Sequence, residues 1–212
     1  MIGNELSGVI VPIITPVDDE DRVDGPAFRK VIRYLIDSGV HGLFVGGSAG
    51  EGPLLDAKEW TRMVQIAFDE NKGAVHLLGG VADTSTRRVK QKIRTLADNG
   101  YKNFVLTPTF YITLKSPDEH MRLFAECKEA CGDMEMISYN IPSCTNSEIP
   151  VEVMREIAKR GWVRYCKESS GNMDYFRRLM SEGGEYGLKV FMGDEPCMAE
   201  ALLAGAQGIV GV

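Results

Sequence analysis

The sequence lacks the residue patterns of metal sites, disulfide frameworks and membrane spans. Its 212 residues include five cysteines but no C-x-x-C pair, and an odd number of cysteines fits reduced thiols better than a set of disulfides. The three histidines are scattered without metal-ligand spacing, so we predict no metal site. No apolar run approaches the length that spans a membrane, and no membrane contact is expected.

Basic residues are fewer than acidic residues. Lysine and arginine number 24 against 30 aspartate and glutamate residues, and no basic stripe offsets the net charge of −6, which argues against a nucleic-acid partner. The opening segment, 1–6, has neither the basic flank nor the apolar region of a signal peptide, so we expect a cytoplasmic protein. With 44% hydrophobic and 25% charged residues, the composition is that of an ordinary globular protein.

The sequence does contain a regular alternation of short apolar runs and amphipathic helical patterns. Eight β-rich runs are predicted, at 8–16, 41–47, 74–81, 102–108, 134–140, 163–168, 188–193 and 207–212. A helical pattern separates each run from the next, which gives seven helices. This alternation indicates a (β/α)₈ TIM barrel rather than a doubly wound open sheet, because no G-x-G-x-x-G opens the first helix. We therefore predict one α/β barrel domain over residues 1–212.

Three of the predicted helices carry start signals. Asp24 is placed to cap the first helix. Asp56 and Glu59 have the spacing of a capping box, and so do Ser116 and Glu119.

The alternation stops at strand eight. We expect a barrel without its eighth helix and without a C-terminal helical region, since a complete barrel usually has about 250 residues. Val9–Val11 and Ile209–Val210 should then leave apolar side chains facing outward, and these residues alone should be aggregation-prone or poorly active.

The most informative stretch is Val163–Asn172, which has the pattern of a buried strand with a lysine at its end. Side chains alternate along a strand, so Val163, Tyr165 and Lys167 are predicted to share one face. Desolvation there would lower the pKa of Lys167 and leave some neutral amine, the form that attacks a ketone. A lysine that reaches out to solvent fits this segment alone equally well.

Two other strand ends carry candidate groups, because barrel active sites lie at the carboxyl ends of the strands. Tyr139 ends strand five, next to strand six, so its phenol could pass protons near the Lys167 amine or could be a rim aromatic. The glycine-rich turn 46–51 follows strand two and could present backbone N–H groups to a carboxylate, or could be only a tight turn.

Together these segments resemble the dihydrodipicolinate synthase / N-acetylneuraminate lyase family of pyruvate-dependent Schiff-base enzymes. Residues 47–51 read G-S-A-G-E for the family's G-[ST]-T-G-E, 139–142 read Y-N-I-P for Y-N-x-P, and 167–171 read K-E-S-S-G for K-x-x-[ST]-G. The resemblance implies a small-molecule 2-oxo acid substrate, catalysis without a cofactor, and a homo-oligomer, a tetramer in the full-length form.

The resemblance also implies roles for individual residues. Lys167 forms the Schiff base and Tyr139 shuttles protons, while the turn Gly47–Ser48–Ala49 binds the pyruvyl carboxylate. Phe110 aligns with a relay tyrosine that the family takes from a neighbouring subunit, and it cannot carry a proton. Tyr111 beside it is the alternative relay residue.

Departures from the family pattern bear on the substrate. Ala49 replaces the second hydroxyl of the turn, and Cys144 stands where the synthases have the arginine that binds the carboxylate of the aldehyde substrate. Ser169 aligns with a hydroxyl that lyases use near the C4 hydroxyl of their substrate, and Glu195 with an acid that contacts the sugar chain. Gly193, at the end of strand seven, is placed with them as a substrate-binding residue.

We therefore predict a Schiff-base lyase or aldolase, or a related dehydratase, that acts on a 2-oxo-3-deoxy or 4-hydroxy-2-oxo acid. The alternative is a 4-hydroxy-tetrahydrodipicolinate synthase that condenses pyruvate with aspartate semialdehyde, for which Cys144 would need a substitute cation. A further alternative, suggested by Phe110 and Ala49, is a catalytically weak member that binds a 2-oxo acid.

Overall fold

Eight parallel strands close into one barrel, in which each strand is hydrogen-bonded to the next along the chain and the eighth to the first. The computed structural model describes residues 5–211. Met1–Asn4, part of the opening segment on which the cytoplasmic prediction rests, and Val212, the predicted end of strand eight, lie outside the described residues. The predicted (β/α)₈ fold is confirmed.

The strands are β1 (Gly8–Pro12), β2 (Gly42–Val45), β3 (His76–Gly80), β4 (Asn103–Leu106), β5 (Glu135–Asn140), β6 (Val163–Glu168), β7 (Lys189–Met192) and β8 (Gly208–Val210). The α-helices are α1 (Gly25–Asp37), α2 (Ala57–Asn71), α3 (Thr86–Asp98), α4 (Pro117–Ala130), α5 (Pro142–Thr145), α6 (Val151–Lys159), α7 (Met173–Arg178) and α8 (Met198–Leu203). A π-helical turn at Leu179–Gly183 extends α7, and 3₁₀ turns lie at Gly184–Tyr186 and Glu195–Cys197. No helix within residues 5–211 is long and apolar enough to cross a membrane.

Two predicted helix starts are confirmed by their side-chain contacts. The Asp24 carboxylate accepts a hydrogen bond from Ala27 N at 3.0 Å and caps α1. At α4, Ser116 and Glu119 form the complete capping box. These local signals fix where the outer helices begin relative to the strands.

The predicted capping box at α2 is wrong. Asp56 does cap the helix, since its carboxylate accepts from Glu59 N at 2.8 Å. The Glu59 carboxylate, however, accepts from Val23 N at 2.8 Å instead of returning to Asp56. Glu59 is buried, and an unpaired backbone N–H in a buried position is costly, so the carboxylate is used there.

Two apolar clusters lie on the two sides of the strands. The inner cluster fills the barrel and consists of Leu6, Ile10, Phe44, Leu78, Val105, Ile137, Tyr139, Ile141, Tyr165, Phe191 and Val210. The outer cluster packs the strands against the helices and contains the larger share of the buried side chains. The barrel is therefore a packed core whose polar groups collect at its carboxyl end.

The predicted face of Val163 is wrong, although β6 begins and ends where the sequence indicates. Val163 packs in the outer cluster, whereas Tyr165 lies in the barrel interior. The pairing with β5 shifts register between Met136 and Ile137, which leaves Arg164 as the extra residue of a bulge. A bulge reverses the alternation of side chains on one side of it.

The prediction that apolar side chains of β1 and β8 face outward is only partly correct. Ile10 and Val210 point into the barrel and are buried, whereas Val9 is 37% exposed. Alternation explains the difference, because successive side chains of one strand lie on opposite faces.

Candidate active site

Lys167 lies at the carboxyl end of β6 and is only 7% exposed. Its Nζ is 4.3 Å from the centroid of the Tyr139 ring and 5.2 Å from that of Phe44. Burial lowers the pKa of Lys167 to about 7, although Glu195 and Cys144 act in the opposite direction. The amine is therefore partly neutral near pH 7, which a nucleophile for a carbonyl carbon requires.

Tyr139 is the β5 residue that pairs with Lys167. Burial raises the pKa of its phenol to about 12, and the hydroxyls of Ser169 and Ser48 act against that rise. The phenol therefore holds its proton at neutral pH and can donate it. The structure thus brings together four predicted site residues from the ends of β2, β5 and β6. They are Ser48, Tyr139, Lys167 and Ser169.

Ser169 and Gly193 pack tightly around the lysine stem. The Ser169 Oγ is buried and forms no hydrogen bond of acceptable geometry with any residue in 5–211. A methyl group on Gly193 would lie 2.2 Å from that Oγ and 2.6 Å from Lys167 Cε. Only glycine leaves both side chains in place, whereas a substrate-binding role for Gly193 stays a prediction.

Replacing Gly193 by alanine should slow Schiff-base formation by about 100-fold, because a displacement of about 1 Å at a reacting group can cost that much. The measurement is the rate at which pyruvate and borohydride modify the folded protein. Gly184→Ala is the matched control, since its methyl would meet nothing within 4 Å and its φ of −59° suits alanine. Equal rates in the two variants would show that Lys167 tolerates the added methyl.

The turn after β2 is held by close backbone packing. Gly46 has a φ of +67°, and a methyl on Gly52 would lie 2.1 Å from the Gly46 carbonyl oxygen. Thr15 Oγ1 donates to the Gly50 carbonyl at 2.7 Å and fixes the far side of the turn. The turn therefore has one conformation, which leaves Ser48 exposed toward the site.

The turn's N–H groups are partly used within it. Glu51 N donates to Ser48 O at 3.1 Å, and Gly52 N donates to Gly47 O at 3.2 Å. Ala49, between them, is half-buried. Binding of a carboxylate by Gly47, Ser48 and Ala49 stays a prediction.

A hollow of about 230 Å³ lies beside the strand ends. Ser48, Phe110 and Cys144 are among the residues that line it. Cys144 is exposed on the short helix α5, which the sequence analysis did not predict. Tyr111 is 87% exposed, so within this chain its side chain faces solvent. A relay role for Phe110 or Tyr111 stays a prediction.

Two buried polar residues near the strand ends were missed. Thr107, at the end of β4, lines the same hollow, and its buried Oγ1 has no partner within residues 5–211. Glu168 follows Lys167 and is fully buried. Their positions at strand ends could have indicated site residues. A glutamate is normally exposed, however, so the sequence does not predict that Glu168 is buried.

No group of three or more His, Cys, Asp or Glu side chains in the described part of the chain could hold a metal ion. All five cysteines are free, and Cys127, Cys131 and Cys166 are buried.

Comparisons with known proteins agree with this geometry. The sequence pattern of the dihydrodipicolinate synthetase family matches residues 5–212. A 4-hydroxy-tetrahydrodipicolinate synthase of Methanothermobacter thermautotrophicus is 31% identical over 98% of this chain and 74% of the relative. An N-acetylneuraminate lyase of Salmonella paratyphi A is 27% identical over 97% of this chain and 68% of the relative. The crystal structure of a putative dihydrodipicolinate synthetase from Pseudomonas aeruginosa superimposes with a TM-score of 0.92 at 28% identity, over 98% of this chain and 71% of the other. The chain therefore belongs to the dihydrodipicolinate synthetase family, which confirms the prediction that it is a class I lyase.

Proposed function

We propose that this chain is a Schiff-base lyase or aldolase, or a related dehydratase, acting on a 4-hydroxy-2-oxo or 2-oxo-3-deoxy acid with Lys167 as the nucleophile. The observation that carries the proposal is the buried amine at the barrel exit, whose pKa of about 7 leaves about half of it neutral at neutral pH. The distance of 4.3 Å between Nζ and the centroid of the Tyr139 ring supports a role for this phenol as the proton donor.

The chemistry follows from these two groups. The neutral Nζ of Lys167 attacks the C2 carbonyl carbon, and Tyr139 donates a proton as the carbinolamine loses water. The resulting iminium withdraws electrons from the C3–C4 bond, so transfer of the C4 hydroxyl proton to the Tyr139 phenolate left by the first step releases an aldehyde and leaves an enamine. In the dehydratase reaction, a C3 proton and the C4 hydroxyl are lost as water instead. Protonation and hydrolysis of the Schiff base return the free lysine.

The surrounding groups supply substrate contacts. Gly47, Ser48 and Ala49 bind the carboxylate next to C2, and the unpaired Ser169 Oγ receives the C4 hydroxyl. Glu195 acts to raise the pKa of Lys167, so its carboxylate lies near the amine, and the family resemblance assigns it to the distal chain of the substrate.

The synthase is the second candidate, because the relative from Methanothermobacter thermautotrophicus bears that name. The hollow beside the site argues against it. Glu51 is the one charged residue in the lining that the structure describes, and Cys144 adds no cation. The carboxylate of aspartate semialdehyde would be repelled there rather than paired. A weakly catalytic 2-oxo-acid binder remains the third candidate.

We also propose that the chain works as a homo-oligomer, a tetramer by analogy with the family. Large apolar side chains beside the catalytic face support this, since Leu54, Tyr111 and Ile112 are 78%, 87% and 73% exposed. Sedimentation velocity tests the assembly.

A turnover panel tests the reaction and its substrate. We expect 4-hydroxy-2-oxo acids to yield pyruvate and an aldehyde, or a dehydrated 2-oxo acid, faster than pyruvate condenses with aspartate semialdehyde. Ser169→Ala should lower kcat/KM on hydroxylated substrates by about 2- to 12-fold, the effect of one lost hydrogen bond.

Cys144→Arg should weaken cleavage and favour an aldehyde that carries a carboxylate. Fastest turnover in the condensation would favour the synthase. Pyruvate binding without turnover of any panel member would favour the weak binder.

A further inference from the structure

Glu168 is a fully buried carboxyl group for which the proposed reaction has no use. It follows Lys167 in β6, and because side chains alternate along a strand it faces away from the barrel interior. It lies at the level of the site, since it pairs with Asn140 of β5 and Met192 of β7.

One oxygen of this carboxyl group accepts two hydrogen bonds. Asn140 Nδ2 donates to Glu168 Oε1 at 3.1 Å, and Ser170 N donates to the same atom at 2.8 Å. The Glu168 carbonyl oxygen accepts from Gly193 N at 2.7 Å. Glu168 thus connects the end of β5, the turn after β6 and the residue after β7.

Asn140 extends these connections to the segment that follows α5, the helix that carries Cys144. Its carbonyl oxygen accepts from Ser169 N at 2.9 Å, and its Oδ1 accepts from Ile149 N at 3.0 Å. Apart from Ile149, each of these partners of Glu168 and Asn140 is next to a proposed site residue or is one itself.

We propose that Glu168 is a positioning residue, whose carboxyl holds the ends of β5 and β6 so that Lys167 and Tyr139 keep their mutual geometry. This inference rests on the proposed Schiff-base function. Its physical basis is that reacting groups must be placed to within about 1 Å, whereas the backbone at strand ends is held by few ladder bonds. A buried acceptor shared by two strands supplies that restraint.

The hydrogen bonds to Glu168 Oε1 provide the restraint. Glu168 Oε2 is buried and has no hydrogen-bond partner in residues 5–211. Burial raises the pKa of the carboxyl, against the lowering effect of Ser170 and Asn140. Oε1 accepts both hydrogen bonds, and the amide oxygen of glutamine can accept them in its place.

Three variants test the role. Glu168→Gln keeps the acceptor, Glu168→Ala removes it, and Glu59→Ala removes another buried carboxylate, on α2, that accepts the backbone N–H of Val23. The measurements are the melting temperature, the KM for the 2-oxo acid, kcat, and the rate of pyruvate trapping by borohydride at Lys167.

We expect Glu168→Ala to lower kcat and the trapping rate by about 100-fold with KM within about 3-fold. Glu168→Gln should stay within about 3-fold of the natural chain in every rate. Glu59→Ala should lower the melting temperature and leave kcat unchanged.

If Glu168→Ala does not fold, Glu168→Asp replaces it, because the shorter side chain withdraws the acceptor while keeping the carboxyl. The role is overturned if the variant without the acceptor has a lower melting temperature but an unchanged kcat and trapping rate, as expected for Glu59→Ala. It is also overturned if kcat and the trapping rate of Glu168→Gln are as low as those of Glu168→Ala. Failure of the natural chain to trap pyruvate would overturn the proposed function and this role with it.

Discussion

Replacing Lys167 by methionine should abolish turnover and at the same time stabilise the fold. Burial lowers the pKa of Lys167 from 10.5 to about 7, so the charged amine is disfavoured in the folded chain. The unfolded chain binds the proton more tightly, and the cost to stability is fully present below about pH 7 and disappears as the pH rises through 10.5. At about 1.4 kcal/mol per pKa unit, methionine should add roughly 3–5 kcal/mol to the free energy of unfolding at acidic pH.

Denaturant unfolding of both proteins between about pH 6 and pH 10 measures this difference. We expect the gain to be largest at the acidic end and to shrink with rising pH. Lys58→Met, at an exposed position on α2, is the control and should show no such trend. A gain that does not vary with pH, or a methionine variant less stable throughout, would contradict the burial of a weakly basic amine.

Tyr139→Phe should lower kcat by about 10²- to 10⁴-fold, the usual contribution of a positioned proton donor. The phenylalanine ring keeps the contacts of the tyrosine ring, which lies 4.3 Å from Lys167 Nζ and 6.1 Å from the Phe44 ring. Binding of pyruvate and thermal stability should therefore change little, while dehydration of the carbinolamine slows.

Tyr165→Phe is the matched control for this variant. Tyr165 also lies in the barrel interior, and its hydroxyl accepts from Leu6 N at 3.2 Å, away from the catalytic end. It should cost stability and leave the rate of trapping unchanged. If Tyr139→Phe retains full activity, the proton comes from another group, such as Ser48 or a water molecule.

The sequence predicts the fold well where local chemistry decides it. The bounds of β6 are correct because a β-rich run there is followed by a turn, and Ser116 marks the start of α4 by its own capping contacts. The face of Val163 is not predictable in this way, since it depends on a bulge in the pairing with β5. Helix α5 is too short to show a periodic pattern.

The candidate site, like the fold, is predictable from the sequence only where local patterns decide it. Lys167 and Tyr139 are predictable because strand ends in a barrel meet at one face. The need for glycine at position 193 is not, since it arises from contacts with Ser169 and the lysine stem across two strands. The sequence predicts no role for Glu168, because the burial of its side chain beside Asn140 depends on the fold.

The most direct test is reductive trapping of the full chain with pyruvate and borohydride, followed by intact mass and peptide mapping. The account predicts one reduced adduct per chain, located on Lys167, with none in the Lys167→Met variant. Trapping should weaken as the pH falls below about 7, because the amine becomes charged. An adduct on another lysine, or no adduct on correctly folded protein, would contradict the assignment of Lys167 as the Schiff-base residue.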